Sequence, residues 1–310
     1  MIALHLNATY DESLFLEGMM PQLTSVFGPV QEDLKNGFYK SAFKKLISAS
    51  NEYSHNETFL SLLAETQRGL HDAAGLVKTL QVLARTTKNH ETQLELMRAL
   101  YVEGRLNEAL DVGLALQDEF LPPVQHRQLL HILSKIYLEF NDYEGVRELA
   151  QLCEPDEVMI WALGCAQLAE GQLDEALLSF RGAVQMNPDY DQAWVSLALV
   201  HEHMGDRHLA LANIEKALDI NAHNSTGLKL LAKWQTGDLN KIKVVRSRIE
   251  FYLSRYDFDE EMSLCLVNML RESGELDRAR FEMERLILSN PQSPQLHEIK
   301  KDLENQLNLC

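Results

Sequence analysis

Small and apolar residues recur along this chain with the period of an α-helix, and the helical segments themselves recur at a fixed distance. Gly171 returns as Gly205, 34 residues later (205 − 171 = 34), and Phe180 returns as Ile214 at the same spacing. A repeat of this length predicts stacked helical hairpins, because no single hairpin can bury its apolar face alone. The residues from 157 to 224 hold the two clearest copies.

Each hairpin is predicted to contain two helices joined by a tight turn. Gly171 ends the first helix of one hairpin, because glycine adopts the left-handed conformation that commonly follows a helix. Pro188 then stops the second helix, since proline cannot continue it. Gly164 in the first helix and Ala176 in the second are small, so we expect the two helices to approach closely at this level.

This pattern resembles the tetratricopeptide repeat family. The family's motif positions are occupied in one repeat by Ile160, Leu163, Gly164, Ala176, Phe180, Ala183 and Pro188, and in the next by Trp194, Leu197, Ala198, Ala210, Ile214 and Ala217. The chain departs from the motif at His201, where the family has Tyr, and at Ala222, where it has Pro. The resemblance implies an all-α fold, a right-handed superhelix of helix-turn-helix repeats, that binds proteins or peptides.

The same spacing divides the chain into three predicted parts. Residues 1–22 do not fit the repeat and form an N-terminal arm or cap, packed on the first hairpin or filling a groove of the same or another chain. Residues 23–293 form six to eight hairpins, clearest at 157–190, 191–224 and 260–293. Residues 294–310 form a C-terminal capping helix with one apolar face. The first helix is expected to begin only after Gly28-Pro29.

Charge and cysteine content restrict the class of partner and the compartment. The formal net charge is −17, so neither nucleic acid nor an anionic membrane surface is an expected partner. The four cysteines show no paired spacing and favour reduced thiols in a cytoplasmic protein. We expect neither a signal peptide, since the first residues lack its basic and apolar segments, nor a membrane span.

No motif for catalysis, a metal or a cofactor is present in the sequence. The densest group of candidate ligands is His201, His203 and His208, but the first two lie two residues apart and so on different faces of a helix. His201 also stands where the repeat has a packed tyrosine. We therefore expect no enzyme, no cofactor and no metal site.

The candidate binding surface is the face formed by the first helices of the hairpins. Residues one position after the large packing residue of each repeat, together with those one turn further on, are predicted to project from this face. The candidates are Leu94, Arg98, Tyr101, His131, Lys135, Trp161, Cys165, Leu168, Val195, Leu199, Lys229 and Lys233. Their centre is apolar around Trp161, and lysines and an arginine flank it.

Two interpretations of Trp161 remain open, because a shift of one residue would bury it in the core. If it is exposed, the chain is predicted to be a non-catalytic adaptor that binds a partner segment, with acidic residues flanking the segment. A first alternative is a self-associating or autoinhibited module whose arm at 1–22 fills the groove or forms a homodimer. A second is a signalling or polarity regulator that docks a folded partner, such as a small GTPase or a response regulator, on another face.

Overall fold

The computed structural model describes residues 25–235, 239–256 and 259–309. Within these ranges the chain forms α-helices joined by turns, with no strand, so the predicted all-α class is confirmed. The chain divides into two units, Met1–Phe140 and Asn141–Cys310. Each unit is described by itself below.

The first unit contains seven helices in its described part, and from the second onward each helix packs on the next. They are α1 (25–35), α2 (Tyr39–Tyr53), α3 (Glu57–Gly69), α4 (Ala73–Thr87), α5 (His90–Val102), α6 (Leu106–Gln117) and α7 (Pro123–Glu139).

The helix α1 differs from the expectation, because it runs through Gly28 and Pro29 instead of beginning after them. The missing N–H of Pro29 removes one backbone hydrogen bond from the helix. The apolar face of α1 compensates, since Phe27 and Val30 are each only 2% exposed. The predicted arm or cap at 1–22 lies outside the described residues.

The second unit contains ten helices in its described part. They are α8 (Tyr143–Gln151), α9 (Glu157–Ala169), α10 (Leu173–Met186), α11 (Asp191–His203), α12 (Arg207–Ile220), α13 (Ser225–Trp234), α14 (Leu239–Arg255), α15 (Glu260–Glu272), α16 (Leu276–Ser289) and α17 (Pro294–Leu309). The helices α9 with α10, α11 with α12, and α15 with α16 form hairpins. The helix α17 packs on α16 and buries Leu296 and Leu303.

Turn and cap residues define where the hairpins bend. Gly171 and Gly205 have φ values of +79° and +81°, the left-handed conformation that their sequence positions predict. Asp206 then begins α12, since its carboxylate accepts a hydrogen bond from the Leu209 N–H at 3.0 Å. In the first unit His71 occupies the corresponding turn position and takes a φ of +57° without being glycine.

The predicted close approach of small residues is present in the α9–α10 hairpin. A Cβ added to Gly164 would lie 2.6 Å from Cε1 of Phe180, so only glycine leaves room for this ring. Phe180 is fully buried, as is Ala176 in the same helix. The repeat therefore encodes the distance between the two helices by alternating large and small side chains.

A second feature recurs with the hairpins and links their ends. The asparagine after the second helix donates to a carboxylate in the first turn of the first helix, 30 residues earlier. The pairs are Asn187 with Glu157 at 3.3 Å, Asn221 with Asp191 at 2.7 Å, and Asn290 with Glu260 at 3.1 Å. Each pair closes its hairpin at the open end, opposite the turn.

Candidate partner-binding cleft

A cleft in the second unit lies along the first helices of successive hairpins. It has a volume of about 460 Å³ and is bounded by α9, α11 and the start of α13. Its lining consists of Trp161, Cys165, Asp191, Gln192, Val195, Ser196, Leu199, Asn221, His223, Asn224, Ser225 and Thr226. Four of the candidate residues, Trp161, Cys165, Val195 and Leu199, are therefore brought together at one site.

Trp161 is half-buried, so it is neither a fully buried core residue nor a fully exposed one, the two interpretations that the sequence left open. Its contacts also fix the orientation of its ring. One part of the side chain packs against the core cluster that contains Phe180. Its indole Nε1 donates a hydrogen bond to Ser196 Oγ at 2.9 Å, and the ring meets Tyr190 edge to face, with centroids 6.0 Å apart. The remaining surface of the indole faces the cleft, where it forms one wall.

Ser196 holds this arrangement from the neighbouring helix. Its hydroxyl donates to the Gln192 carbonyl at 3.0 Å and accepts the proton of the Trp161 indole, so both of its roles are used. Ser196 is only 6% exposed. The indole is thus fixed by a buried side chain from the next repeat.

Two of the predicted exposed residues are buried instead. Val195 is 4% exposed and forms the floor of the cleft, and Leu94 in the first unit is 2% exposed and belongs to the core. The prediction that both side chains project from the surface is wrong, because neighbouring helices cover these positions. Leu199 and Cys165 are half-buried at the cleft, while Leu168 packs against the core cluster around Phe180 and is not part of the lining.

One wall of the cleft is polar and carries a carboxylate. Oδ2 of Asp191 accepts hydrogen bonds from the side-chain amides of Asn221 at 2.7 Å and Asn224 at 2.8 Å. Both amides are neutral, so they orient the carboxylate without cancelling its charge. Burial raises the pKa of the neighbouring Tyr190, and Cys165 and Asp191 raise it further, which keeps this phenol protonated.

The lysines predicted to flank the apolar centre do not form part of this cleft. Lys229 is half-buried and forms an ion pair with Glu261, so its charge is compensated. Lys233 is exposed on α13. Among the described residues that line the cleft there is no lysine or arginine, and Asp191 supplies its negative charge.

The remaining candidates belong to the first unit. Arg98 is exposed and lines a different cavity of about 300 Å³ between α3, α4 and α5. Tyr101 is half-buried, and burial together with Glu139 raises its pKa. His131 and Lys135 are half-buried on α7.

Sequence reasoning missed Ser196, Asp191, Asn221 and Asn224 as parts of the site. One signal could have indicated Asp191 and Asn221. A carboxylate in the first turn of a helix is followed 30 residues later by an asparagine at three bonded pairs of the described chain. Asn224 and Ser196 carry no comparable signal, since their roles depend on which neighbouring helix they face.

The described part of the chain offers no metal cluster, no disulfide and no helix that could span a membrane. It contains no cluster of His, Cys, Asp and Glu side chains that could hold a metal ion. His201 of α11 is 8% exposed. This burial is expected, because the motif has a packed tyrosine at this position. Cys153, Cys165 and Cys265 form no disulfide, and no described helix is both long and apolar enough to cross a bilayer.

A family model described as "Tetratricopeptide repeat" matches residues 159–190 and 191–224, which carry the α9–α10 and α11–α12 hairpins. These two hairpins are tetratricopeptide repeats. The matched repeats include the apolar wall and floor of the cleft, and the cleft continues into the connection that follows them.

The chain is also similar to one curated protein over a short stretch. The "Cell division cycle protein 27 homolog" of Caenorhabditis elegans is 40% identical over 62 residues, which is 20% of this chain and 8% of that protein. The chain thus matches only a small part of this relative's length.

Two solved structures are similar at low sequence identity. The structure titled "Crystal structure of APC/C hetero-tetramer Cut9-Hcn1" has a TM-score of 0.52 at 10% identity, covering 78% of this chain and 48% of that one. The Pseudomonas aeruginosa PilF structure has a TM-score of 0.49 at 14% identity, covering 69% and 97%. At 10% identity the likeness to the first of these structures concerns the fold alone.

Proposed function

We propose that this protein is a non-catalytic adaptor whose second unit binds a segment of a partner protein in the cleft beside Trp161. The observation that carries the proposal is the oriented indole, which packs partly against the core and also lines the cleft. Tryptophan held in this way is a frequent anchor of protein interfaces, because it offers a large apolar surface at little entropic cost.

The shape of the cleft favours a chain segment over a flat protein surface. The apolar side chains of Trp161, Val195 and Leu199 form a recess, and polar side chains of the next connection border it. A recess of about 460 Å³ has room for one or two apolar side chains of a bound segment. The hydroxyls of Ser225 and Thr226 lie at the polar border, where a segment's backbone groups can find partners.

The sequence also predicted acidic flanks in the partner, a role for residues 1–22, a location and a second docking mode. Acidic flanking residues were expected from the lysines, but Lys229 is paired with Glu261, and Lys135 belongs to the first unit. A homodimer or an autoinhibited form through residues 1–22 stays a prediction, because those residues are not described. The cytoplasmic location and the docking of a folded partner on another face also stay predictions.

Site-specific crosslinking tests the proposal. Benzoylphenylalanine placed at Leu199, and separately at the 69% exposed Leu178 of α10, would be irradiated in cells that express the protein. Mass spectrometry then identifies the crosslinked segment. We expect a defined segment from Leu199 and none enriched from Leu178. A crosslink to a second copy of this chain would replace the adaptor with the self-associating module.

A binding measurement with the identified segment completes the test. The segment, made as a peptide, is titrated into the wild type, Leu199→Glu and the matched control Leu178→Glu. We expect at least about a tenfold loss for Leu199→Glu, from the charge placed in an apolar recess, and none for the control. Equal affinity for all three proteins, with all three folded by circular dichroism, would rule out the cleft as the binding site.

A further inference from the structure

The walls of the cleft differ sharply in chemistry, and the difference indicates what the bound segment contains. Its lining includes the apolar side chains of Trp161 and Leu199 as well as the carboxylate of Asp191. The described lining includes no cationic lysine or arginine, so the acidic side of the cleft is not neutralised from within. A ligand that fills the cleft therefore meets an apolar surface and a carboxylate at once.

Asp191 is held in place by bonds that leave it available. Both amide bonds, from Asn221 and Asn224, end on Oδ2, and Oδ1 takes part in neither. The amides in turn use their own oxygens locally, since Asn221 accepts from the His223 N–H at 3.1 Å and Asn224 from the Gly227 N–H at 2.8 Å. Asp191 is thus a preorganised anion with an acceptor oxygen left for a ligand.

Other carboxylates lie in the same region as Asp191, since Glu157 and Asp156 act on Tyr190 together with it. Glu157 occupies the equivalent first-turn position one repeat earlier and is held by Asn187. Lys229 of α13 forms an ion pair with Glu261. The N-terminal dipole of α11 explains why a carboxylate is tolerated at Asp191, but a helix dipole corresponds to only about half a charge and does not cancel it.

From this geometry we infer that the cleft selects a segment in which an apolar side chain, seated between Trp161 and Leu199, lies close to a lysine or arginine that binds the Asp191 carboxylate. The inference rests on the proposed function and specifies the chemistry of the partner. A charge-assisted bond to a partly desolvated carboxylate is stronger than a bond between neutral groups, so it favours basic over acidic neighbours of the apolar anchor. The partner is thus a basic apolar segment, the reverse of the acidic flanks expected from the lysines.

A peptide library tests this inference directly. The probe is an immobilised set of ten-residue peptides with a central Leu, Phe or Trp, in which the positions within four residues of it carry Lys, Arg, Gln or Glu in turn. The full-length wild type, Asp191→Asn and the control Asp219→Asn are applied at equal concentration. Asparagine at 191 can still accept from Asn221 and Asn224, so the wall keeps its hydrogen bonds, and Asp219 is exposed on α12, away from the lining.

We expect the wild type and Asp219→Asn to prefer peptides with Lys or Arg over the matched Glu peptides by about tenfold, and Asp191→Asn to lose most of this preference while still binding apolar peptides. If all three proteins bind apolar peptides without regard to charge, or prefer Glu, the inference is wrong and the proposed function stands. If Asp191→Asn keeps the full basic preference, Asp191 is not the selecting group and the inference is also wrong. Binding of no peptide by the wild type would overturn both.

Discussion

The indole nitrogen of Trp161 donates a hydrogen bond to the hydroxyl of Ser196 across 2.9 Å, and this bond joins the first helices of two successive repeats. Trp161 presents its ring to the cleft, and Ser196 lies beneath the surface with 6% exposure. The orientation of the anchor in one repeat is therefore set by the following repeat. A single hairpin of this protein could not build the cleft.

Replacing Ser196 by Ala should release this anchor. The variant leaves the Trp161 N–H without its acceptor in a half-buried position, which costs about 1 kcal/mol in the free energy of unfolding. Urea titration measures the change, with Ser254→Ala as the control, because the Ser254 hydroxyl is exposed and bonds only within its own helix. Equal losses in the two variants would contradict a specific role for the Trp161–Ser196 bond.

Gly164 should tolerate no larger side chain, in contrast to another glycine of the same hairpin. A Cβ at Gly164 would stand 2.6 Å from the buried Phe180 ring, so Gly164→Ala should lower the free energy of unfolding by about 1–3 kcal/mol. At Gly182 the nearest atom, Ile160 Cγ2, is 3.5 Å away, and alanine there should raise stability by up to about 1 kcal/mol through helix propensity. Denaturant titration of both variants distinguishes contact from propensity, and a stabilised Gly164→Ala would refute the close packing.

Substitutions at the turn positions Gly205 and His71 should change the free energy of unfolding in opposite directions. Gly205 has a φ of +81° with nothing within 4 Å of an added Cβ, so Gly205→Ala should cost about 1 kcal/mol from backbone strain alone. His71 already bears such strain at +57°, and His71→Gly should raise the free energy of unfolding by up to about 1 kcal/mol. Thermal unfolding reports both changes. Shifts of the same sign in both variants would be inconsistent with strain as the cause.

The stability of the second unit should depend on pH through Glu275. Hydrogen bonds from Arg246 and then Arg278 hold the pKa of this carboxyl below its usual range, and Arg278 Nη1 lies 3.0 Å from Oε2. A lowered folded pKa means that the stabilisation is present above the ordinary value near 4.3 and is lost as the pH falls through the folded pKa.

Glu275→Gln should therefore lower stability at pH 7 and weaken the loss of stability between about pH 5 and pH 3. Urea titrations at several pH values provide the measurement. Glu284→Gln, at an exposed position of α16, is the matched control and should leave the profile unchanged. If the free energy of unfolding of Glu275→Gln depends on pH in parallel with that of the wild type, Glu275 does not cause the pH dependence.

Much of the fold follows from local pattern, and the particular residues show why. Gly171 and Gly205 predict their turns because a left-handed backbone strongly favours glycine. Gly164 and Ala176 predict the close helix pair because both recur as small residues at the repeat distance. At Pro29 the same reasoning was wrong, because one lost backbone bond in α1 weighs less than the burial of Phe27 and Val30.

The candidate site was predicted less completely. A helical period assigns a residue to a face only to within about 100°, the rotation per residue, so a position next to the core can lie on either side of the boundary. Trp161 and Leu199 border the cleft, whereas Val195 forms its buried floor and Leu168 packs into the core. Local periodicity could not separate these outcomes, since they depend on how much of each side chain the adjacent helix covers.

The succession of helical hairpins can be read from local pattern, because helix period, turn residues and small–large alternation act over a few residues and return after 34 (205 − 171 = 34). The anchoring of Trp161 by Ser196, and the negative charge that Asp191 brings to the cleft while held by Asn221 and Asn224, emerge only from the packed helices. These contacts join residues about 30 or more positions apart, so they exist only after the hairpins have stacked and their connections have met.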